Sequence, residues 1–211
     1  QPVQPVRAQS LVSPRMLDLV KRHAPSPPSP NLNFKPWLES MSRAVVTASV
    51  YSEGFTITAV ERANKLGRQY RGPVVLITVA LAYSATDMFA AGFQDHHIGP
   101  IIGVDDNTGA GGANVWSYSE LRQALSGSAA ALPPLPEGID LSFSFRRATR
   151  ARASEGLPIE DVGVSGTPYA MTLDDLLHAN QDLIATAVRV LKQQPFSRLS
   201  FQRDPASRTI S

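Results

Sequence analysis

The sequence predicts an α/β fold with a partly parallel sheet and flanking helices. Two apolar runs rich in β-branched residues, 73–80 and 98–104, have the composition of strands buried on both faces of a parallel sheet. Between them, residues 84–94 have the pattern of a helix. This strand–helix–strand order is typical of a βαβ unit, for which a right-handed crossover is expected.

Three helices are predicted upstream of the first strand. Ser13-Pro14 provides an N-cap and a first-turn proline for a helix that ends near His23. Residues 36–49 repeat apolar side chains at the helical period, and residues 58–69 predict a more polar helix closed by glycine. The Pro-rich stretch 25–30 predicts an exposed connection.

A glycine-rich loop, residues 105–112, follows the second strand. Ser117 and Glu120 then have the spacing of a capping box, which predicts a short helix that ends near Leu125. Residues 126–138 are mostly Ser, Ala, Pro and Gly, and this composition predicts a linker without regular structure.

The last third of the chain predicts one strand and one long helix. Apolar and polar residues alternate over 139–145, which is typical of a half-buried strand. Thr172 is predicted to cap a single amphipathic helix that runs to about Lys192. Four arginines between these elements are interpreted as the solvated face of a strand or hairpin: Arg146, Arg147, Arg150 and Arg152.

Composition excludes several classes of function. The 211 residues are 43% hydrophobic, which suffices for one sizeable core, and the formal net charge is only +2. Because the basic residues are not gathered in one block, no nucleic-acid partner is predicted. The absence of cysteine excludes disulfides, thiolate catalysis and Cys-ligated zinc. No apolar stretch is long enough to span a membrane.

The start of the chain leaves its cellular location open. It begins with Gln1 and has neither a charged segment nor an apolar core of the signal-peptide type. We expect a processed or truncated piece, so that both a cytoplasmic and an exported location remain compatible with the sequence. The sequence likewise leaves open whether the chain forms a homo-oligomer.

Ser84 stands at a tight junction between the first predicted strand and the following helix. A side chain at this point projects from the carboxyl end of the sheet, beside backbone N–H groups that have no partner within the helix. The N–H of Ala85 would lie close to an oxyanion formed by attack of Ser84 on a carbonyl. On spacing alone, an ordinary helix N-cap is the favoured interpretation.

The residues around Ser84 resemble a known nucleophile segment. The stretch Ser-Ala-Thr-Asp-Met-Phe-Ala-Ala-Gly-Phe-Gln-Asp, 84–95, is similar to that of the C-terminal-processing (tail-specific) and tricorn-core serine peptidases. The similarity continues through His96-His97-Ile98-Gly99 to the Thr108-Gly109 loop. The resemblance implies a ClpP/crotonase-like fold, a nucleophilic role for Ser84, an oxyanion-binding role for Ala85 and a peptide or protein substrate. It implies no cofactor.

A second stretch supports this resemblance. Residues 159–164, Ile-Glu-Asp-Val-Gly-Val, are similar to the tricorn-core segment that contributes the acidic member of a Ser-His-Ser-Glu tetrad. The resemblance assigns that role to Glu160, which would orient and polarise the base. The alternative interpretation is an exposed acidic turn residue.

Three departures from the family pattern bear on the mechanism. Gly109 and Ala110 stand where enzymes of the Ser/Lys type carry a lysine, which favours the arrangement with a histidine base. In that arrangement the histidine and a second oxyanion glycine come from far upstream, and neither motif is present. Ser165-Gly166 replaces the usual Pro-Asp. We therefore expect the C-terminal part of a longer enzyme, whose upstream part is its partner.

The resemblance also divides the chain. Residues 1–35 form an N-terminal helix and Pro-rich connection, residues 36–194 the C-terminal part of a serine peptidase core, and residues 195–211 a polar tail. The rival interpretation is a catalytically silent binding module on the same fold, as in the retinoid-binding relatives of these peptidases. The missing lysine keeps that rival open.

Two other motifs predict no separate site. Gly109, Gly111 and Gly112 follow a strand but lack the pattern of a dinucleotide or phosphate loop, so the loop is predicted to line the substrate cleft. His96 and His97 are adjacent, and neighbouring side chains on a helix point about 100° apart, which disfavours a shared metal ion. No metal is predicted.

Overall fold

The computed structural model describes residues 2–23, 33–111 and 115–195, and the structural statements below concern those residues. The elements in chain order are β1 Arg7–Ser10, α1 Pro14–His23, α2 Lys35–Thr47, β2 Phe55–Thr56, α3 Val60–Ala63, β3 Leu76–Thr78, α4 Ala85–Asp95, β4 Ile101–Gly103, β5 Val115–Ser117, α5 Tyr118–Ala124, β6 Ser142–Ser144, β7 Arg146–Thr149, β8 Thr167–Pro168, α6 Leu173–Leu177 and α7 Gln181–Gln193. The predicted α/β class, with a partly parallel sheet and flanking helices, is confirmed. The predicted connection 25–30, Gly112 and nearly all of the predicted tail lie outside the described residues.

The predicted βαβ unit forms the centre of a parallel sheet with the strand order β3-β4-β8. Leu76 pairs with Ile101, and Thr78 with Gly103. Successive residues of a strand point to opposite faces, so Ile101 packs against α4 while Ile102 packs against Leu183 and Ala187 of α7. The sheet is thereby covered by a helix on each face.

Strand β3 differs from its prediction in burial. Its apolar run was expected to be buried on both faces, yet residues 74–77 are only half-buried. Within the described part of the chain, β3 pairs with β4 alone and is therefore an edge strand. An apolar edge strand of this kind is unusual in a native protein.

A second, antiparallel sheet has β1 at its centre, in the order β2-β1-β7. Ala8 and Ser10 are buried and alternate with half-buried Arg7 and Gln9, which gives β1 two distinct faces. The Trp37 indole N–H donates to the Ala8 carbonyl at 2.9 Å and ties α2 to this strand. The largest apolar core lies here, where α1, α2 and α5 meet the sheet.

The helix predicted over 58–69 is wrong beyond its first turn, because only α3, four residues long, forms. No residue of α3 is buried, so packing contributes nothing to extend it. The Asn64 amide donates to the Val60 carbonyl and competes for that acceptor, and Gly67 then turns the chain at φ +62°.

The single long helix predicted from Thr172 to Lys192 is wrong, since a break separates α6 from α7. Ala179 and Asn180 have left-handed φ values of 52° and 63°, which no continuous α-helix contains. The buried Asp175 carboxylate fixes the break by accepting the Leu183 N–H at 2.8 Å. Among the described helices, none has the length and apolarity to cross a membrane.

The interpretation of the arginine cluster as a solvated face is wrong for Arg150. Its side chain is 7% exposed and forms an ion pair with Asp95, itself 1% exposed, at 2.6 Å. Arg146 and Arg147 lie over the rings of Phe145 and Tyr51. The guanidinium groups of these arginines therefore pair with a buried carboxylate or stack on aromatic rings rather than only contacting solvent.

Candidate active site

Ser84 lies in a strained elbow between β3 and α4. Its backbone has φ 59° and ψ −112°, a conformation that costs a non-glycine residue about 1–3 kcal/mol. The chain leaves β3 at Thr78, turns through the Ala82 N–H to Val79 carbonyl bond, and enters α4 at Ala85. Ser84 is exposed at this turn. Sharp strand-to-helix elbows of this kind present nucleophiles in other folds.

The start of α4 supplies an unbonded backbone donor beside Ser84. The Thr86 N–H donates to the Tyr83 carbonyl, and the Met88 N–H donates to the Ser84 carbonyl. Among the described residues, no acceptor faces the Ala85 N–H. The helix dipole adds partial positive charge at the same point. The elbow can therefore stabilise an anion next to the Ser84 hydroxyl.

The Asp87 carboxylate is fully buried and accepts three backbone N–H groups. The donors are Ser84 at 2.8 Å, Gly111 at 2.9 Å and Ala110 at 3.2 Å. The Ser84 bond is one half of the capping box of α4. In the other half, the Ser84 hydroxyl is placed opposite the Asp87 N–H, but the two groups do not form a hydrogen bond of standard geometry. Asp87 thereby connects the elbow to the glycine-rich loop.

The glycine-rich loop packs directly on the elbow. The Gly109 N–H donates to the Ala82 carbonyl at 2.9 Å, and the Tyr83 ring covers Gly109 and Gly111. A Cβ at either glycine would collide with atoms of that ring, so the loop can approach only as glycine. The sequence indicated a role for these glycines, but it did not indicate that the Tyr83 ring packs over them.

The turn that carries Glu160 packs on the other side of the same loop. The Asp161 N–H donates to the Ala110 carbonyl at 3.1 Å. The Thr108 N–H donates to the Val164 carbonyl at 3.1 Å, and the Val164 N–H donates to the Thr108 hydroxyl at 2.9 Å. The three segments predicted to form the site, which are the elbow, the loop and the Glu160 turn, are thus joined into one continuous structure.

The Glu160 carboxylate is half-buried and held by the backbone of β7. Both of its oxygens accept the Ala148 N–H, at 2.7 and 3.0 Å. Burial raises the pKa of Glu160 above its usual range, and the Ala148 N–H and the charge of Arg147 oppose that rise only in part. Glu160 is therefore a half-buried, hydrogen-bonded residue rather than the exposed turn residue of the alternative interpretation.

None of the four histidines, all within the described residues, hydrogen-bonds to Ser84. Both ring nitrogens of His96 are occupied, since Nε2 accepts the Gln4 N–H at 2.8 Å and Nδ1 lies 2.7 Å from the Gly92 carbonyl. Ser84 and His96 stand at opposite ends of the 11-residue helix α4, which places them about 18 Å apart at about 1.5 Å per residue. His178 faces Asp174 at 3.3 Å on the exposed side of α6.

The larger cavities of the described structure lie away from the elbow. One of about 650 Å³ is formed by the start of α1 and by Ala129 and Ala130, and one of about 590 Å³ is lined by His97, Ser165 and Gln194 among others. Ser84 lines neither of them. Three apolar residues near Ser84 in the sequence are exposed, Leu81 by 90% and Tyr83 and Phe89 by 60% each.

Comparison with known proteins agrees with the resemblance seen in the sequence. Residues 32–133 match the model of peptidase family S41, a segment that includes Ser84, Ala85 and the glycine-rich loop but not Glu160. Over this segment the chain is similar to peptidase family S41, which confirms the resemblance predicted from the sequence. A search of curated proteins found no match to the chain.

Two solved structures share the fold. One is mature CPAF, with a TM-score of 0.60 and 12% identity over 95% of this chain and 41% of that one. The other is mature CPAF complexed with lactacystin, with a TM-score of 0.59 and 13% identity over 91% of this chain and 38% of that one. The chain therefore spans about two fifths of the length of these proteins.

Proposed function

We propose that this chain carries the nucleophile of a serine peptidase, which hydrolyses peptide bonds through an acyl-enzyme on Ser84. The elbow is the observation that carries the proposal. An exposed serine is held there at φ 59° beside the unbonded Ala85 N–H. An ordinary structural N-cap does not need this strained backbone conformation.

The reaction assigns one step to each group. The Ser84 hydroxyl oxygen attacks the peptide carbonyl carbon while a base takes its proton, and the oxyanion accepts the Ala85 N–H. The tetrahedral intermediate then expels the amine, which receives the proton from the base. A water molecule, deprotonated by the same base, hydrolyses the Ser84 ester and releases the carboxylate product.

The base is proposed to come from polypeptide upstream of this chain. The occupied ring nitrogens of His96 and the absence of any lysine or histidine bonded to Ser84 among the described residues support this assignment. Glu160 is proposed to orient that base from the far side of the glycine-rich loop. Its raised pKa favours a carboxylate that shares or accepts a proton from a partner.

Exposed apolar side chains support the proposal that another polypeptide covers part of this surface. All three leucines of α6, Leu173, Leu176 and Leu177, are 65–73% exposed, and Leu81 beside the site is 90% exposed. Apolar surface of this extent is typical of an interface rather than of a free monomer. Together with the two-fifths coverage of the CPAF chains, it supports an upstream partner that completes the site.

The substrate is proposed to be a peptide or protein that lies along the glycine-rich loop. The loop lies beside the elbow, since the Gly109 N–H donates to the Ala82 carbonyl at 2.9 Å. Leu81 and Phe89, which are three and five residues from Ser84 in the sequence, have exposed apolar side chains, and we propose that these favour apolar side chains around the cleaved bond.

The second candidate is a catalytically silent binding module on the same fold. The observation that favours it is the lack of a described base bonded to Ser84. A fluorophosphonate probe separates the two candidates, because it reacts only with an activated serine. The chain is expressed with its upstream polypeptide, treated with the probe and digested for mapping by mass spectrometry.

The peptidase predicts one labelled residue, Ser84, and loss of both label and peptide cleavage in Ser84→Ala. Ser117→Ala is the matched control, since Ser117 also caps a helix but lies outside the site. It should keep both the label and the activity and lose about 1 kcal/mol of stability. A protein that cleaves nothing and stays unlabelled would favour the binding module.

A further inference from the structure

We propose that Asp87 is a positioning residue that holds the nucleophile elbow and the glycine-rich loop in one fixed arrangement. The inference rests on the proposed function, because its importance for catalysis depends on Ser84 being the nucleophile. It adds a residue to which neither the sequence resemblance nor the reaction above gives a role.

The hydrogen bonds of Asp87 exceed what helix capping requires. A capping box needs only the bond from Ser84, the N-cap residue. Two further N–H donors, of Ala110 and Gly111, come from 23 and 24 residues away. The carboxylate is fully buried, and burial of a charge without hydrogen-bond partners is costly. These donors therefore compensate for the loss of hydration.

The capping box of α5 shows the difference. There the Glu120 carboxylate accepts only from the backbone and hydroxyl of Ser117, three residues away, and stays exposed. The two boxes have the same local chemistry, yet the α4 box also binds donors 23 and 24 residues away. The buried Asp175 of the third box, in α6, reaches only as far as Leu183, eight residues away. Local helix capping therefore does not explain the burial of Asp87 or its bonds to the loop.

Two of the three donors are strained. Ser84 and Ala110 are both non-glycine residues with left-handed φ values, of 59° and 60°. Such conformations persist only where the surroundings over-determine them. One carboxylate holds the N–H groups of both residues, so its loss would let the elbow and the loop relax together.

The expected consequence is a loss of alignment at Ser84. A displacement of about 1 Å at a reacting group can cost about 10²-fold in rate. In Asp87→Asn, one amide oxygen replaces two charged oxygens. The amide NH2 group then faces a backbone N–H and can accept no hydrogen bond from it. We expect labelling of Ser84 by a small fluorophosphonate to slow by about 10- to 100-fold. A small probe reports the serine itself rather than extended substrate binding.

The experiment combines that rate with amide hydrogen exchange. Wild type, Asp87→Asn, Asp87→Glu and the control Glu120→Gln are compared in the chain expressed with its upstream polypeptide. Asp87→Asn should increase exchange in residues 105–111 by about tenfold or more, because the loop loses its anchor. Asp87→Glu keeps the charge and should recover part of the labelling rate. Glu120→Gln should leave both readouts within about twofold, since its bonds are local and exposed.

Unchanged exchange and unchanged labelling in Asp87→Asn would overturn the inference. If that variant does not fold, Asp87→Ser serves instead, because its single short hydroxyl cannot accept from both segments, and wild-type exchange of the loop in it would equally overturn the inference. If wild type itself is not labelled, the proposed peptidase fails, whereas loop exchange still decides the role of Asp87: faster exchange in Asp87→Asn supports it, and unchanged exchange refutes it.

Discussion

Asp95 and Arg150 form a buried ion pair that fixes the last turn of α4 to the segment following β7. The guanidinium contacts both carboxylate oxygens, at 2.6 and 3.1 Å, and also donates to the Gln94 side chain at 2.7 Å. Ser84 is at the opposite end of the same helix. The pair therefore anchors the helix whose first turn forms the candidate site.

Arg150→Leu should destabilise the protein by about 3–5 kcal/mol, because it leaves the Asp95 carboxylate buried without a partner. The measurement is denaturant unfolding at neutral pH. Glu155→Gln is the matched control, since it breaks the exposed Arg7–Glu155 pair and should cost about 1 kcal/mol or less. Equal effects of the two substitutions would contradict a structural role for the buried pair.

The Tyr169–Asp175 pair predicts a loss of stability in acid. Burial raises the pKa of Asp175, but hydrogen bonds from Tyr169, Thr172 and Leu183 lower it more, to about 2. This is below its ordinary value near 3.8, so the stabilisation is complete above about pH 4 and is lost as the pH falls through 2.

The test is the melting temperature between pH 5 and pH 2. Asp175→Asn should lower it at pH 5 and flatten its decline towards pH 2. Tyr169→Phe removes one of the donors that lower the pKa of folded Asp175, so its decline should be smaller and end at a higher pH than in wild type. A wild-type decline that Asp175→Asn leaves unaltered would place the acid sensitivity elsewhere.

The outcome at α6 and α7 shows what the sequence can and cannot reveal. The capping residue Thr172 and the apolar period were visible, and both helices form. The break between them depends on the Asp175 bond to Leu183, a contact that exists only once the two helices have packed. A periodic pattern shows which residues favour a helix, but not which buried group will interrupt it.

The sheets show the same division. Strands β3 and β4 were predictable because their apolar runs stand out from the chain. Strand β1 was missed because Arg7-Ala8-Gln9-Ser10 has no apolar run, and its strand form depends on pairing with β7, more than 130 residues away. At the candidate site, Ser84 was marked by local sequence, whereas the buried contacts of Asp87 with the loop required the fold.

Glu160→Gln should lower the rate of acylation much more than it raises KM, because Glu160 is proposed to support the base rather than the substrate. The measurement is single-turnover acylation in the chain with its upstream polypeptide. Asp161→Asn is the matched control. Asp161 is next to Glu160 in the sequence and is exposed, and asparagine tolerates the left-handed φ of 65° at this position. A shifted melting temperature with ordinary kinetics in Glu160→Gln would indicate a purely structural residue.

The most direct test of the account is fluorophosphonate labelling of the purified chain, with and without a separately expressed upstream fragment. Ser84 is the proposed nucleophile and the Ala85 N–H a proposed oxyanion donor, but no described lysine or histidine is bonded to Ser84 as a base. We predict no label on the chain alone and specific labelling of Ser84 once the upstream fragment is added. Robust labelling of Ser84 in the chain alone would contradict this account and show that a base lies within these residues, with His178 the first to mutate. A label that never appears on Ser84 would contradict its role as the nucleophile.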